Sequence, residues 1–134
     1  MVVVGAIIKN QANEYLLQLR DDKVQLFKNC WTLFGGIVEA NETPEQAILR
    51  ELQEELVLTS EHIKSLKQVQ DIMQNKDTRL IVFELETDAT LDKLTLTEGK
   101  DMQFFTEDTI FHRNFAFNIE QILHLYLKRP TANI

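Results

Sequence analysis

Sulfur chemistry is nearly absent from this chain, whose one cysteine is Cys30. An internal disulfide is excluded, and the composition suits a reducing, cytoplasmic compartment. Cys30 precedes Trp31 in an apolar stretch and reads as a buried structural thiol, since reactive cysteines need an electropositive setting. Basic charge is in deficit: 14 Lys and Arg against 21 Asp and Glu leave a net charge of −7. That balance argues against non-specific binding to a nucleic acid polymer or an anionic membrane. Histidine is scarce as well, and His62, His112 and His124 form no cluster with zinc-ligand spacing. Apolar runs are short. Met1 to Lys9 lacks a basic flank and the length of a membrane span or signal peptide, so it reads as a buried strand interrupted by Gly5. Repeats, low-complexity tracts and linkers are missing, which points to one domain over residues 1–134.

What is present is one strongly written helix. Gly35-Gly36 reads as a turn, Thr43 as an N-cap, Pro44 as the first helical residue, and Gln46 completes a capping box. No further Gly or Pro follows until well past Leu58, so a helix over Pro44–Leu56 is expected. Its periodicity puts Ile48, Leu49, Leu52 and Leu56 on a core stripe, with Glu51, Glu54 and Glu55 gathered opposite. Like charges at i, i+3 and i+4 repel by roughly 0.2–0.5 kcal/mol per pair, and Arg50 offsets only part of that. A cluster of this kind implies a missing cation. Hard divalent ions such as Mg²⁺ take carboxylate oxygens, commonly one or two of them together with substrate phosphates. A solvated glutamate face is the plain alternative.

The spacing around the cluster goes further. Gly36, five residues, Glu42, seven residues, then Arg50-Glu51-Leu52-x-Glu54-Glu55 and an apolar Leu58 resemble the signature of the Nudix hydrolases, G-x5-E-x7-R-E-U-x-E-E-x-G-U with U apolar. One fixed position departs: Val57 stands where the signature has glycine. A β-branched residue enters the left-handed region only with strain, so a remodelled, slightly extended helix exit is expected there. The preceding Trp31-Thr-Leu-Phe34-Gly35-Gly36 is similar to the W-x-L-P-G-G entry of that family, with Phe34 in place of Pro.

The resemblance implies an α/β fold, an α/β/α sandwich around a mixed β-sheet. It also implies a metal-dependent hydrolase that cleaves the diphosphate linkage between a nucleoside diphosphate and another moiety X. Mg²⁺, with Mn²⁺ as a substitute, would be held by Glu51, Glu54 and Glu55, with a carbonyl of Gly35 or Gly36 adding an oxygen. Arg50 would orient Glu51 through a bidentate contact, and Glu42 would hold the Gly-rich segment or the arginine. Late in the chain, Thr97-Glu98-Gly99 precedes a short strand, where the family often supplies another acidic residue; Glu98 is thus a candidate metal ligand or general base. Glu51, Glu54 and Glu98 all remain open as that base. The partner implied is a small-molecule nucleotide, and homodimers are common among relatives. Two other readings stand beside this one. A catalytically silent Nudix-like module would bind a nucleotide without cleaving it, and a pure interaction protein would offer the acidic helix face to a basic partner.

The remaining segments give a coarse map. Glu14–Arg20 reads as the strand returning from a turn at Asn10–Asn13, and Asp21–Lys28 as a polar loop. Leu58–Lys67 reads as a connector, then 66–73 and 78–87 as strands joined at Asn75-Lys-Asp77, with Ile81, Phe83 and Leu85 at a period of two. Residues 102–105 form a last strand, Thr106-Glu-Asp108 a helical turn, and 114–128 a terminal core-packing helix ended by Pro130. Phe27, Trp31 and Phe34 are read mainly as core, with stacking on a base as the alternative.

Overall fold

The computed structural model describes residues 1–128; the expected stop at Pro130 lies outside them. Its centre is β1 (Val2–Lys9), an apolar run that stays in strand through Gly5 because both of its faces are covered. The other strands are β2 (Tyr15–Leu19), β3 (Trp31–Thr32), β4 (Phe34–Ile37), β5 (Ile63–Asn75), β6 (Thr78–Thr87) and β7 (Asp101–Phe105). The helices are α1 (Pro44–Leu56), α2 (Glu107–Ile110) and α3 (Ile119–Leu127). The seven-stranded sheet is mixed: β1 runs parallel to β6 along its whole length, while β1–β2, β1–β4, β2–β3, β2–β7 and β5–β6 are antiparallel.

Two cores sit on opposite faces of this sheet. Val4, Ala6 and Ile8 join Ile81, Phe83 and Leu85 beneath Ala47, Ile48, Leu52 and Leu56 of α1. Ile7, Leu17, Leu80 and Val82 face Ile110, Ile119, Ile122 and Leu123 of α2 and α3. The period of two in β6 is therefore real, yet both its faces are buried. This is the α/β/α sandwich that the sequence implied.

Several local expectations are corrected. Gly35 and Gly36 form strand, not a turn: they pair with Gly5 and Val4 on the edge of β1 that a simple hairpin would give to β2. Only Ile8 and Lys9 pair with β2, so the hairpin opens early and β4 enters between the diverging strands. A Cβ on Gly35 would collide with the Val4 carbonyl, so this pairing admits only glycine. Strand β5 starts at Ile63, where a connector was expected, and its three register shifts against β6 break the alternation that sequence reading depends on. Residues 114–118 are not helical. Trp31 N–H donates to the Asn114 carbonyl at 2.8 Å, Ala116 N–H donates to the Trp31 carbonyl at 2.9 Å, and Phe117 takes φ 52°, which no helix tolerates. On α1, Leu49 is exposed rather than core, and Glu55 lies on the buried side with 8% of its surface exposed. Cys30 is half-buried rather than buried.

The exit of α1 also differs from expectation. The helix is not extended: Val57 itself takes the left-handed conformation, φ 54° and ψ 37°. Its N–H reaches the Gln53 carbonyl at 3.0 Å and Leu58 N–H reaches Leu52 at 3.2 Å, closing the last turn as a glycine would. The strain, about 1–2 kcal/mol, is offset because this reversal puts Leu58 into the core at 2% exposure.

Candidate active site

Helix α1 starts as written in its sequence. Thr43 Oγ1 accepts from Gln46 N–H at 3.1 Å and Gln46 Oε1 accepts from Thr43 N–H at 2.9 Å, closing the capping box. This fixed start directs Arg50, Glu51, Glu54 and Glu55 toward the edge of β4. Arg50 then forms the centre of a network. Its Nε and Nη2 donate to the two oxygens of Glu42 at 2.7 and 3.0 Å, a bidentate pair. Nη1 donates to Glu51 Oε1 at 3.0 Å and to Glu54 Oε2 at 3.4 Å, and Nη2 also reaches the Ile37 carbonyl at 3.0 Å. The bidentate partner of Arg50 is thus Glu42 and not Glu51, because the planar guanidinium can present its Nε–Nη2 edge to only one carboxylate. The Arg50 contact holds the Glu42 carboxyl down at about 2, and the Glu39 N–H that Glu42 accepts at 2.9 Å lowers it further.

The other carboxylates show the opposite tendency. Burial pushes Glu55 up to about 8, with the Glu51 charge adding to it, while the Gly35 N–H that Glu55 accepts at 3.0 Å pulls the other way. Glu51 is also raised, chiefly by burial, with Arg50 opposing. Gly36 lies against it: a Cβ there would overlap the Glu51 carboxylate and push it aside.

Glu98 arrives from a distant segment. Thr97 Oγ1 donates to the carbonyls of Glu54 and Glu55 at 2.8 and 3.2 Å, and Thr97 and Thr95 N–H donate to Glu55 and Leu56 at 3.0 and 2.9 Å. The 88–100 loop thereby satisfies carbonyls that the end of α1 leaves open. On its far side Gln18 Nε2 donates to the Glu98 carbonyl at 3.1 Å. As a result Gly35, Gly36, Glu51, Glu54, Glu55 and Glu98 line one cavity of about 620 Å³ with Arg50, Glu39 and Thr97. Sequence reading missed Thr97, Glu39 and Gln18. Only Gln18 carried a signal, as a polar residue, 7% exposed, in the apolar run of β2.

The donor set fits a hard divalent cation. It offers only oxygens, and its buried carboxyls lack enough nearby positive charge. Among the described residues no three acidic, His or Cys groups close into a ready-made cage. Hard ions of this kind commonly take one or two carboxylates and complete their coordination with water and phosphate.

Comparison with known proteins decides the family. The NUDIX domain model matches residues 1–126. The chain belongs to the Nudix family. It is 31% identical over 131 residues to the ADP-ribose pyrophosphatase of Methanocaldococcus jannaschii, covering 95% of this chain and 73% of that protein. It is 38% identical over 69 residues to the 8-oxo-dGTP diphosphatase of Escherichia coli, covering 52% of each. The Nudix match thus spans about half the length of that second relative. Among solved structures, DR0079 from Deinococcus radiodurans superposes with a TM-score of 0.78 at 22% identity, over 92% of this chain and 80% of that one. The Nudix chain shares the fold of that structure.

Proposed function

We propose that this Nudix chain is a metal-dependent pyrophosphohydrolase that cleaves the diphosphate linkage of a nucleoside diphosphate joined to another moiety X. One observation carries the reading: Glu51, Glu54, Glu55 and Glu98 converge from two distant segments on one cavity, with Arg50 and Glu42 holding the helix edge. The pyrophosphatase names of the relatives support it. So does the intact Arg50-Glu51-x-x-Glu54-Glu55 set, which a silent nucleotide-binding module would not need to keep.

Glu51, Glu54 and Glu55 would hold Mg²⁺ or Mn²⁺ together with a backbone oxygen of Gly35 or Gly36. The bound ion would supply positive charge to the diphosphate and acidify a water. The chain's own groups do the remainder. Glu42 and Ile37 fix Arg50, which presents Glu51 with one oxygen engaged. Glu55 is anchored by the Gly35 N–H. Glu98 has its backbone held by Gln18 and lines the same cavity, which supports it as the group that takes a proton from the attacking water. Glu54, the most exposed of the helix carboxylates, is the second choice for that role.

The test is hydrolysis of ADP-ribose and dGTP with Mg²⁺ or Mn²⁺ and with chelator, followed by product analysis. Metal-dependent release of a nucleoside monophosphate supports the reading. Turnover that survives chelation, or metal binding without turnover of any diphosphate tested, counts against it. For the base, Glu98→Gln should lower kcat while leaving Mn²⁺ affinity intact; loss of Mn²⁺ binding would move Glu98 into the ligand set.

A further inference from the structure

Gln18 is a polar side chain in a core position. It follows the fully buried Leu16 and Leu17 in β2 and keeps only 7% of its own surface exposed. An unbonded amide in such a place is costly, and an apolar residue would serve the core better. Leu16 belongs to the core under α1 and Leu17 to the core under α3, so strand alternation turns Gln18 to the α1 side, where the carboxylates are. Its backbone is held on both edges, opposite Thr32 of β3 and Met102 of β7. Its Nε2 donates to the Glu98 carbonyl at 3.1 Å, the only side-chain hydrogen bond it makes among the described residues.

The segment around Glu98 is pinned at both ends. β7 pairs with β2 from Tyr15↔Phe105 to Leu19↔Asp101, and Lys100 N–H donates to the Leu19 carbonyl at 2.8 Å, just beyond that ladder. At the other end, Thr97 N–H and Oγ1 donate to the Glu55 and Glu54 carbonyls at 3.0 and 2.8 Å. Residues 97–100 are thus a short bridge from the end of α1 to the end of β2, with Glu98 between the two supports. Gly99 turns the bridge. Its φ is +89°, a conformation that favours glycine, and a Cβ on it would stand 3.0 Å from Gln18 Cγ, Gln18 Nε2 and the Leu19 carbonyl oxygen. The bridge therefore lies directly on the Gln18 side chain.

We propose that Gln18 is a positioning residue for hydrolysis: through the Glu98 carbonyl, and with Gly99 seated against it, it fixes where Glu98 stands relative to the carboxylates of α1. The inference rests on the hydrolase reading above, with Glu98 as proton acceptor, and adds the contact that sets its place. Thr97 ties Glu98 to the helix that carries the metal-facing groups, and Gln18 ties it to the sheet. A misplacement of about 1 Å in a reacting group costs on the order of 10²-fold in rate, so a donor kept in the core for one backbone carbonyl has a catalytic consequence.

The experiment is a double-mutant cycle of wild type, Gln18→Met, Glu98→Gln and the double variant. Kinetics with ADP-ribose and dGTP in Mn²⁺ are measured beside Mn²⁺ binding, thermal unfolding and amide hydrogen exchange. Gln18→Met keeps the length of the side chain and removes the donor. It should lower kcat by about tenfold or more and leave KM and Mn²⁺ affinity within about twofold. Exchange at the Thr97 and Lys100 amides should quicken while that of the α1 interior stays as it is. In the Glu98→Gln background the same change should alter kcat by less than about twofold, because the group it positions is already gone. Gly99→Ala should reproduce the loss of kcat. General damage to the core would slow both backgrounds alike, so an equal loss in the two would overturn the inference. Unchanged kcat in Gln18→Met, or a raised KM at constant kcat, would overturn it as well. Wild type that hydrolyses neither substrate would remove the hydrolase reading; quickened Thr97 and Lys100 exchange in Gln18→Met would then leave the Gln18 clamp on Glu98 standing, and unchanged exchange would remove both.

Discussion

Glu55→Gln separates a carboxylate held for a metal from one held for the fold. Glu55 is 8% exposed and its carboxyl is raised from 4.5 to about 8. An acid raised on folding binds more protons in the folded than in the unfolded state between those values. Its contribution is therefore fully favourable below about pH 4.5 and is lost as pH rises through 8. The whole shift corresponds to at most about 5 kcal/mol. Water entering the adjoining cavity takes up part of it, and about 2 kcal/mol is expected in practice. Glutamine keeps an oxygen for the Gly35 N–H and carries no charge, so Glu55→Gln in EDTA should be more stable than wild type at pH 8 and nearly equal to it at pH 5. For a chain of this size the difference at pH 8 is about 6–10 °C in melting temperature. Circular dichroism melts at pH 5, 6, 7 and 8 measure it. Saturating Mg²⁺ should raise wild type alone and close the gap. Wild type more stable than the variant at pH 8 in EDTA would refute the reasoning, because the ionised carboxylate would then be satisfied by the fold itself.

Other substitutions probe other links. Val57→Gly should raise stability by about 1 kcal/mol, the relieved left-handed strain less the entropy glycine adds to the unfolded chain; a lower urea midpoint would contradict it. Arg50→Lys loses the bidentate hold on Glu42 and the reach to Ile37, so kcat should fall by about tenfold or more with the far-ultraviolet spectrum unchanged. Thr97→Val removes the hydroxyl bonds to the Glu54 and Glu55 carbonyls, and should cost about 1 kcal/mol and lower kcat by misplacing Glu98. Preserved kcat in a destabilised Thr97→Val would show that Glu98 is positioned by other contacts.

What could be read from the sequence had short-range causes. The start of helix α1 was legible to the residue because Thr43, Pro44 and Gln46 act within one turn, and β6 because its alternation is unbroken. Spacing along that helix grouped Glu51, Glu54 and Glu55, although it put Glu55 on the open face and the fold turns it to the buried side. What could not be read depends on partners far away in the chain. Gly35 and Gly36 form strand only because β1 offers them an edge, and glycine carries no side-chain signal of that pairing. Residues 114–118 have helical spacing but give their backbone bonds to Trp31. Glu98 enters the site through Thr97 capping a helix about forty residues earlier, a long-range hydrogen bond with no fixed spacing. At Val57 local propensity is outweighed: burying Leu58 favours the left-handed exit that the residue itself resists.

The central claim is that the glutamates at the edge of α1 hold a divalent ion that acts on a diphosphate. Manganese titration and ADP-ribose or dGTP hydrolysis, measured together on wild type and Glu54→Gln, test it most directly. The account predicts Mn²⁺ binding and metal-dependent turnover in wild type, both severely reduced in a variant that melts at the same temperature or higher. A folded Glu54→Gln that turns over at the wild-type rate with the same metal affinity would contradict it.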